Sequence, residues 1–162
     1  MKDPAVSLYV MSLEEILWGV ILVAVSLTIH GFGMILTLQM NHAFRPRLDR
    51  SASFAMGVGV LILSSWMIIV VHLLEVLVWA AFFVWKGAMP GLSLAYYFSL
   101  NEYTTLGSDY DLPQHWHLLE GMIATAGLLG FAWSTGILLT LAQEFQDRQM
   151  KIFQQKREKI RR

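Results

Sequence analysis

The residues most suited to chemistry are the oxygen-bearing side chains in residues 104–111, TTLGSDYD. Thr104 and Thr105 supply hydroxyls, Asp109 and Asp111 supply carboxylates, and Gly107 lies between the two pairs. Backbone carbonyls and threonine hydroxyls in such a loop can replace the water shell of a cation. The segment therefore predicts a cation site built from oxygen ligands.

This loop ends an apolar and aromatic stretch, residues 94–111, which lies between two long hydrophobic runs. The part that precedes the loop, residues 94–103, is too short to cross a bilayer, which takes roughly 20 residues. We therefore predict a re-entrant half-helix followed by extended backbone. Non-helical backbone at membrane depth is tolerated only inside protein or along a watery cavity. The carbonyl end of the half-helix carries a partial negative charge that favours a cation.

The composition is that of a small integral membrane protein. Of 162 residues, 56% are hydrophobic and 15% are charged, with a mean hydropathy of +0.51. The chain has no cysteine, which excludes disulfides, thiolate metal sites and cysteine nucleophiles. It has no Gly-rich phosphate loop, and its basic end is not interleaved with aromatics, so we expect no nucleic-acid partner.

Three hydrophobic runs are long enough to cross a bilayer with some tilt: residues 16–40, 54–85 and 116–142. Pro46 lies in the polar segment 41–50, where we expect a loop that breaks the helix. The predicted fold is an all-α integral membrane protein with three transmembrane helices and one re-entrant half-helix with its loop.

The distribution of charge predicts the orientation of the chain. Arginine-rich segments at 41–50 and 143–162 favour the cytoplasmic side, whereas segment 86–115 is acidic apart from Lys86. The N-terminus would then lie outside and the C-terminus in the cytoplasm, with the half-helix entering from the outer face. Trp79 and Trp85 are expected at the outer interface, and the basic tail near anionic lipid.

His72 and Glu75 are three residues apart, so they share one face of the second run. Ionisable residues inside a membrane usually face the protein interior with a partner. They could form a metal or proton site, with His30 from the first run, or a hydrogen-bonded clamp between helices. The clamp is favoured, because two ligands three residues apart are a weak metal signal. A metalloenzyme using these three residues is a further alternative, but no catalytic nucleophile or cofactor motif supports an enzyme.

Two sequence stretches carry a resemblance to a known family. YYFSLNEYTTLG at 96–107 resembles the pore helix and first half of a potassium-channel filter. LLEGMIATAGLLGFAWSTGILL at 118–139 resembles the inner helix that follows it. Together with IHGFG at 29–33 and HLLEVLVWA at 72–80, they are similar to small bacterial proteins with the two-helix ion-channel pore domain. The resemblance implies residence in the bacterial inner membrane.

The resemblance also implies a homotetramer in which four loops surround one axis and no cofactor is bound apart from permeant cations. It divides the chain into a leading helix with a cytoplasmic loop, a pore domain and a basic tail; the ranges are 1–51, 52–142 and 143–162. The filter would consist of Thr104, Thr105, Leu106, Gly107, Ser108 and Asp109. Support for the filter is expected from Glu102, Tyr110, Trp116 and Glu120. A hinge or pore lining on the inner helix is expected at Gly127, Gly130, Phe131 and Ser134.

The second half of the filter departs from the family pattern, which typically reads TTLGYGD. Ser108 replaces the aromatic residue, and Asp109 replaces the second glycine, whose backbone conformation a side chain resists. A ring of aspartates at the mouth would attract cations and favour divalent or unselective passage, so K⁺, Na⁺ and Ca²⁺ are all candidates. The alternative is a non-conducting membrane scaffold or accessory subunit built on a degenerate pore.

Overall fold

The computed structural model describes residues 10–51 and 54–161. These residues form four α-helices: α1 (Leu13–Ser51), α2 (Phe54–Trp85), α3 (Leu92–Tyr103) and α4 (Leu118–Arg161), with a 3-10 turn at Gln114–Trp116. Three helical segments are long and apolar enough to cross a membrane, namely Leu13–Leu48, Phe54–Trp85 and Gln114–Gln155. The all-helical class and the three candidate spans are therefore confirmed.

The loop predicted at 41–50 is wrong, because α1 runs through Pro46. Proline removes one backbone N–H and crowds the carbonyl four residues before it, but side-chain contacts hold both flanks of this position. Nη2 of Arg45 donates to both carboxylate oxygens of Glu144, each at 2.6 Å. The Arg47 guanidinium lies 5.6 Å from the centre of the Phe44 ring. The remaining connection to α2, residues 52–53, is outside the described residues.

The described residues cluster into two compact units. The first, which we call the loop unit, comprises Met1–Ile29 and His72–Gly130 and contains α3 and the 104–113 loop. The second, the tail unit, comprises His30–Val71 and Phe131–Arg162. In the tail unit α4 continues as a helix through the basic tail, whose residues are mostly exposed.

The loop unit has an aromatic core between α2, α3 and α4. Phe83 and Phe98 are fully buried and meet edge to face, with ring centroids 5.6 Å apart. Trp79 is also fully buried, and its Nε1 donates a 3.0 Å hydrogen bond to Ser26 Oγ. Its N–H is satisfied inside the protein, which lets the whole indole be buried. The expected position of Trp79 at the outer membrane interface stays a prediction.

A buried glutamate caps the start of α4. Glu15 has no exposed surface, and its Oε1 accepts a 2.5 Å hydrogen bond from the Leu118 N–H. Ser12 Oγ in turn accepts from the Glu15 N–H at 3.1 Å, which caps α1. The first N–H groups of a helix lack partners within the helix and carry partial positive charge, so a carboxylate is favoured there. This contact ties the start of α1 to the start of α4.

Lys86 lies in a box of three tryptophans at the end of α2. Its Nζ is 4.5 Å from the Trp18 ring centre, 5.1 Å from Trp85 and 5.4 Å from Trp116, and it also binds Glu14 at 3.2 Å. We expect Lys86→Met to lower the free energy of unfolding by about 1–2 kcal/mol, because a partly desolvated cation–π contact is lost. Thermal unfolding in detergent measures this.

Lys86→Arg is the matched control, since it keeps a cation that stacks well on aromatic rings. It should retain most of the stability. If the methionine and arginine variants melt at the same temperature, the cation does not contribute.

Candidate cation-binding loop

Helix α3 positions the loop. It begins after Gly91, and its residues Ala95, Phe98 and Tyr103 are buried on the core side of the loop unit. Its 12 residues match the predicted half-helix in length and position. Because the aromatic side chains anchor this helix in the core, its C-terminal end is held in place, and with it the start of residues 104–113.

The end of α3 is a Schellman turn. The Thr105 N–H donates to the Glu102 carbonyl at 2.9 Å and the Leu106 N–H to the Asn101 carbonyl at 2.9 Å. This motif needs a left-handed residue at its centre, and Thr105 adopts φ 61°. A β-branched residue is strongly disfavoured in that conformation.

The end of α2 makes the same turn with the residue that suits it. There the Gly87 N–H donates to Val84 and the Ala88 N–H to Phe83, and Gly87 has φ 68°. Glycine adopts this conformation without steric cost. A Schellman turn therefore ends both helices. At the end of α2 its left-handed residue is an unstrained glycine, whereas at the end of α3 it is Thr105, whose backbone is strained by roughly 1–2 kcal/mol.

The hydrogen bonds of the loop fix the direction of its carbonyls. The N–H groups of Thr105, Leu106 and Gly107 all point back to carbonyls of α3, the last at 3.4 Å from Asn101 O. In a trans peptide the carbonyl of one residue points opposite to the N–H of the next, and no described peptide bond is cis. The carbonyls of residues 104, 105 and 106 therefore point away from α3. Residues 105–107 are exposed on that side of the loop.

Glu102 lies in the last turn of α3, beside the start of the loop. Burial raises the pKa of Glu102 above its ordinary value of 4.5, and the charges of Glu120 and Asp111 raise this pKa further. The neutral form of Glu102 therefore persists to a higher pH than in a free glutamate.

Glu120 holds the returning side of the loop. Its Oε1 accepts a 2.8 Å hydrogen bond from the Leu112 N–H and lies 3.3 Å from Nδ1 of His117. Leu112 is buried in the core of the loop unit. A glutamate of α4 thus bonds the backbone at the end of the loop, whereas carbonyls of α3 bond the backbone at its start.

The remaining loop residues are largely exposed on the surface of the single chain. Leu106 is 80% exposed and Tyr110 is 52% exposed. Asp109 is exposed, and its φ is not positive, so the strain expected there falls on Thr105 instead. Trp116, expected to support the loop, is buried against Phe82 with ring centroids 5.6 Å apart.

Gly127 of α4 lies against the last carbonyl of α3. A Cβ placed on Gly127 would overlap the Tyr103 carbonyl oxygen. We expect Gly127→Ala to lower the free energy of unfolding by about 2 kcal/mol, because a methyl group in such a close-packed place forces the backbones apart. Chemical denaturation in detergent micelles measures this cost.

Gly121 of the same helix is the matched control, since nothing lies within 4 Å of the position of its Cβ. Gly121→Ala should be neutral or slightly stabilising. Equal effects of the two substitutions would show that the contact between α3 and α4 is not tight.

Tyr103 joins α3 to two ionisable residues of α2. Its hydroxyl donates a 2.5 Å hydrogen bond to Glu75 Oε2 and lies 2.9 Å from Nδ1 of His72. Tyr103 and Glu75 are each 1% exposed. Burial raises the pKa of Tyr103 above its ordinary value, and the hydrogen bond and charge of Glu75 raise this pKa further, so the hydroxyl keeps its proton. The polar pair of α2 therefore holds the end of the helix that carries the loop.

Sequence reasoning identified His72 and Glu75 but missed Tyr103. The available signal was the polar tip of a tyrosine at the end of a largely apolar helix, since a buried tyrosine hydroxyl usually needs a partner. His30 belongs to the tail unit, where its Nε2 lies 3.3 Å from Ser134 Oγ and its ring is 5.5 Å from that of Trp133. A joint role of His30 with His72 and Glu75 stays a prediction.

The predicted hinge residues of α4 lie in continuous helix. Gly127 and Gly130 are buried in the loop unit, whereas Phe131 is 38% exposed and Ser134 is buried in the tail unit.

In comparisons with known proteins, no family model, no curated protein and no solved structure matches this chain.

Proposed function

We propose that this protein is a homotetrameric cation channel with a potassium-channel-like pore. The observation that carries the proposal is the run of backbone carbonyls at residues 104–106, all directed away from α3. Rings of such oxygens can replace the hydration shell of a cation. The C-terminal end of α3 adds partial negative charge beside them.

The apolar surface that a single chain leaves exposed on its candidate spans supports assembly into an oligomer. Only 33%, 44% and 28% of the residues in the apolar windows of the three candidate spans are buried. Lipid accounts for part of this surface, and neighbouring copies account for the rest. One loop cannot surround an ion, so we propose four copies that contribute one loop each. The re-entrant placement of α3 belongs to this proposal.

The pore is proposed to be weakly selective. Asp109 is exposed at the end of the carbonyl run, and four copies would place a ring of carboxylates near the mouth. Such a ring attracts cations and favours divalent ones. The permeant ions would be K⁺ and Na⁺, with Ca²⁺ as a further candidate. With the basic tail in the cytoplasm, this mouth faces outward, and the host membrane would be the bacterial inner membrane.

Flux from liposomes containing the purified protein tests the proposal. We expect passage of K⁺ and Na⁺, and Asp109→Asn should lower the Ca²⁺ flux relative to K⁺ about threefold to tenfold, because the attracting carboxylates are removed. Asp147→Asn is the control, since Asp147 is an exposed acid of the α4 tail. Tetramers that pass none of these ions would contradict conduction and favour the non-conducting scaffold.

A further inference from the structure

The tail unit contains a cavity of about 250 Å³ between α1, α2 and α4. Apolar side chains form much of its wall, among them Val60 of α2 with Leu141 and Phe145 of α4. Its volume lies slightly below the range for drug-sized ligands. The space therefore suits one alkyl chain rather than a bulky ring system.

Among the described residues that line this cavity, the charges leave a positive balance. Glu144 is its acid, but both oxygens of that carboxylate are bound by Arg45 at 2.6 Å. Arg148 and Lys151 also line the cavity, and they contribute two positive charges. An anionic group at this edge would be attracted, whereas a cation would be repelled.

A buried amide provides a polar point within the wall. Asn41 of α1 is only 7% exposed and lines the cavity. Its side-chain amide is a hydrogen-bond donor, so a ligand carbonyl such as an ester could accept from it.

The cavity lies where the candidate spans meet the charged end of the protein. The hydrophobic run of α1 ends at residue 40, that of α2 begins at residue 54 and that of α4 ends at residue 142. Asn41, Gly57 and Leu141, which lie close to these three ends, line the cavity. An apolar chamber with a basic edge at that level matches the boundary between acyl chains and headgroups.

We infer that this cavity binds an anionic phospholipid of the bilayer. One acyl chain would occupy the apolar chamber, an ester carbonyl would accept from Asn41, and the phosphate would lie between Arg148 and Lys151. The inference does not depend on ion conduction, because binding can be measured on protein that passes no ions.

Native mass spectrometry of delipidated protein in detergent, titrated with phosphatidylglycerol, tests this. The double variant Arg148→Gln, Lys151→Gln should bind about 30-fold more weakly, since each basic residue near an anionic headgroup contributes about fivefold. Val60→Phe should also weaken binding by tenfold or more, because it fills the chamber and leaves the charges unchanged. Arg157→Gln is the matched control, an exposed cation of the same helix outside this cavity, and should bind as the wild type does.

Five outcomes would overturn the inference. Equal affinity for phosphatidylcholine would remove the role of charge. Displacement of the lipid by millimolar inorganic phosphate would leave an anion site without a chain. An equal loss in Arg157→Gln would indicate diffuse attraction to the tail. Undiminished binding in Val60→Phe would show that no lipid chain occupies the chamber. A changed oligomeric state in Val60→Phe would show that a second copy of the protein fills it.

Discussion

Thr105→Gly should make the protein more stable and a poorer conductor. Thr105 has φ 61°, which costs a β-branched residue roughly 1–2 kcal/mol, and glycine removes that strain while adding about 0.5–1 kcal/mol of chain entropy cost. We expect a net gain of about 0.5–1 kcal/mol in unfolding free energy. The flux should fall about tenfold or more, because each copy loses a hydroxyl ligand and a fixed backbone conformation. Denaturation in micelles and liposome flux measure the two effects.

Thr104→Gly is the matched control for this result. Thr104 has φ −87°, and its hydroxyl donates to the Leu100 carbonyl at 2.9 Å. The same atoms are removed there without any relief of strain, so we expect a loss of about 1 kcal/mol or more. Two equally destabilised variants would mean that the turn at Thr105 is not strained. A Thr105→Gly protein that conducts normally would exclude its hydroxyl from ion binding.

Opposite effects on stability and flux would explain why a threonine occupies the place where α2 uses Gly87. Strained backbone persists where the surrounding structure enforces it, and it clusters at functional sites. Here the enforcing contacts are the bonds from the loop N–H groups to the carbonyls of α3. The same bonds set the direction of the loop carbonyls, so the strain and that direction have one structural cause.

The large elements could be predicted from the sequence because they depend on local signals. The length of the second hydrophobic run predicted α2 at residues 54–85, and the short aromatic stretch predicted α3. The prediction of a loop at 41–50 was wrong because it considered Pro46 alone, without the side-chain contacts made by the residues around it. The bond from Arg45 to Glu144 joins residues 99 positions apart, and no local pattern predicts such a contact.

The site was predicted in its residues but not in its geometry. The TTLG motif located the loop, and the strain was expected at Asp109, yet it lies at Thr105. The position of a left-handed residue depends on where α3 ends, and helix ends are the least certain part of a sequence prediction. Glu15 was missed as the cap of α4 for a related reason, since its partner Leu118 is more than 100 residues away.

Tyr103→Phe should cause the largest loss of stability among the side-chain changes considered, about 3 kcal/mol or more. Phenylalanine keeps the ring, so packing is preserved and the effect reports the hydroxyl alone. That hydroxyl donates to Glu75 at 2.5 Å and lies 2.9 Å from Nδ1 of His72. A hydrogen bond to a carboxylate contributes about 1.5–3 kcal/mol, and one between neutral groups contributes about 1 kcal/mol. Denaturation in detergent micelles measures the loss.

Tyr97→Phe is the matched control, because Tyr97 is on the same helix but is 60% exposed. It should change the unfolding free energy by less than about 0.5 kcal/mol. Glu75→Gln gives a graded comparison: its amide oxygen still accepts from Tyr103, so its loss should be smaller than that of Tyr103→Phe. If Tyr103→Phe were as stable as Tyr97→Phe, the polar residues of α2 would not hold α3 in place. The position of the loop would then depend only on the packing of the aromatic rings and on the contact between Tyr103 and Gly127.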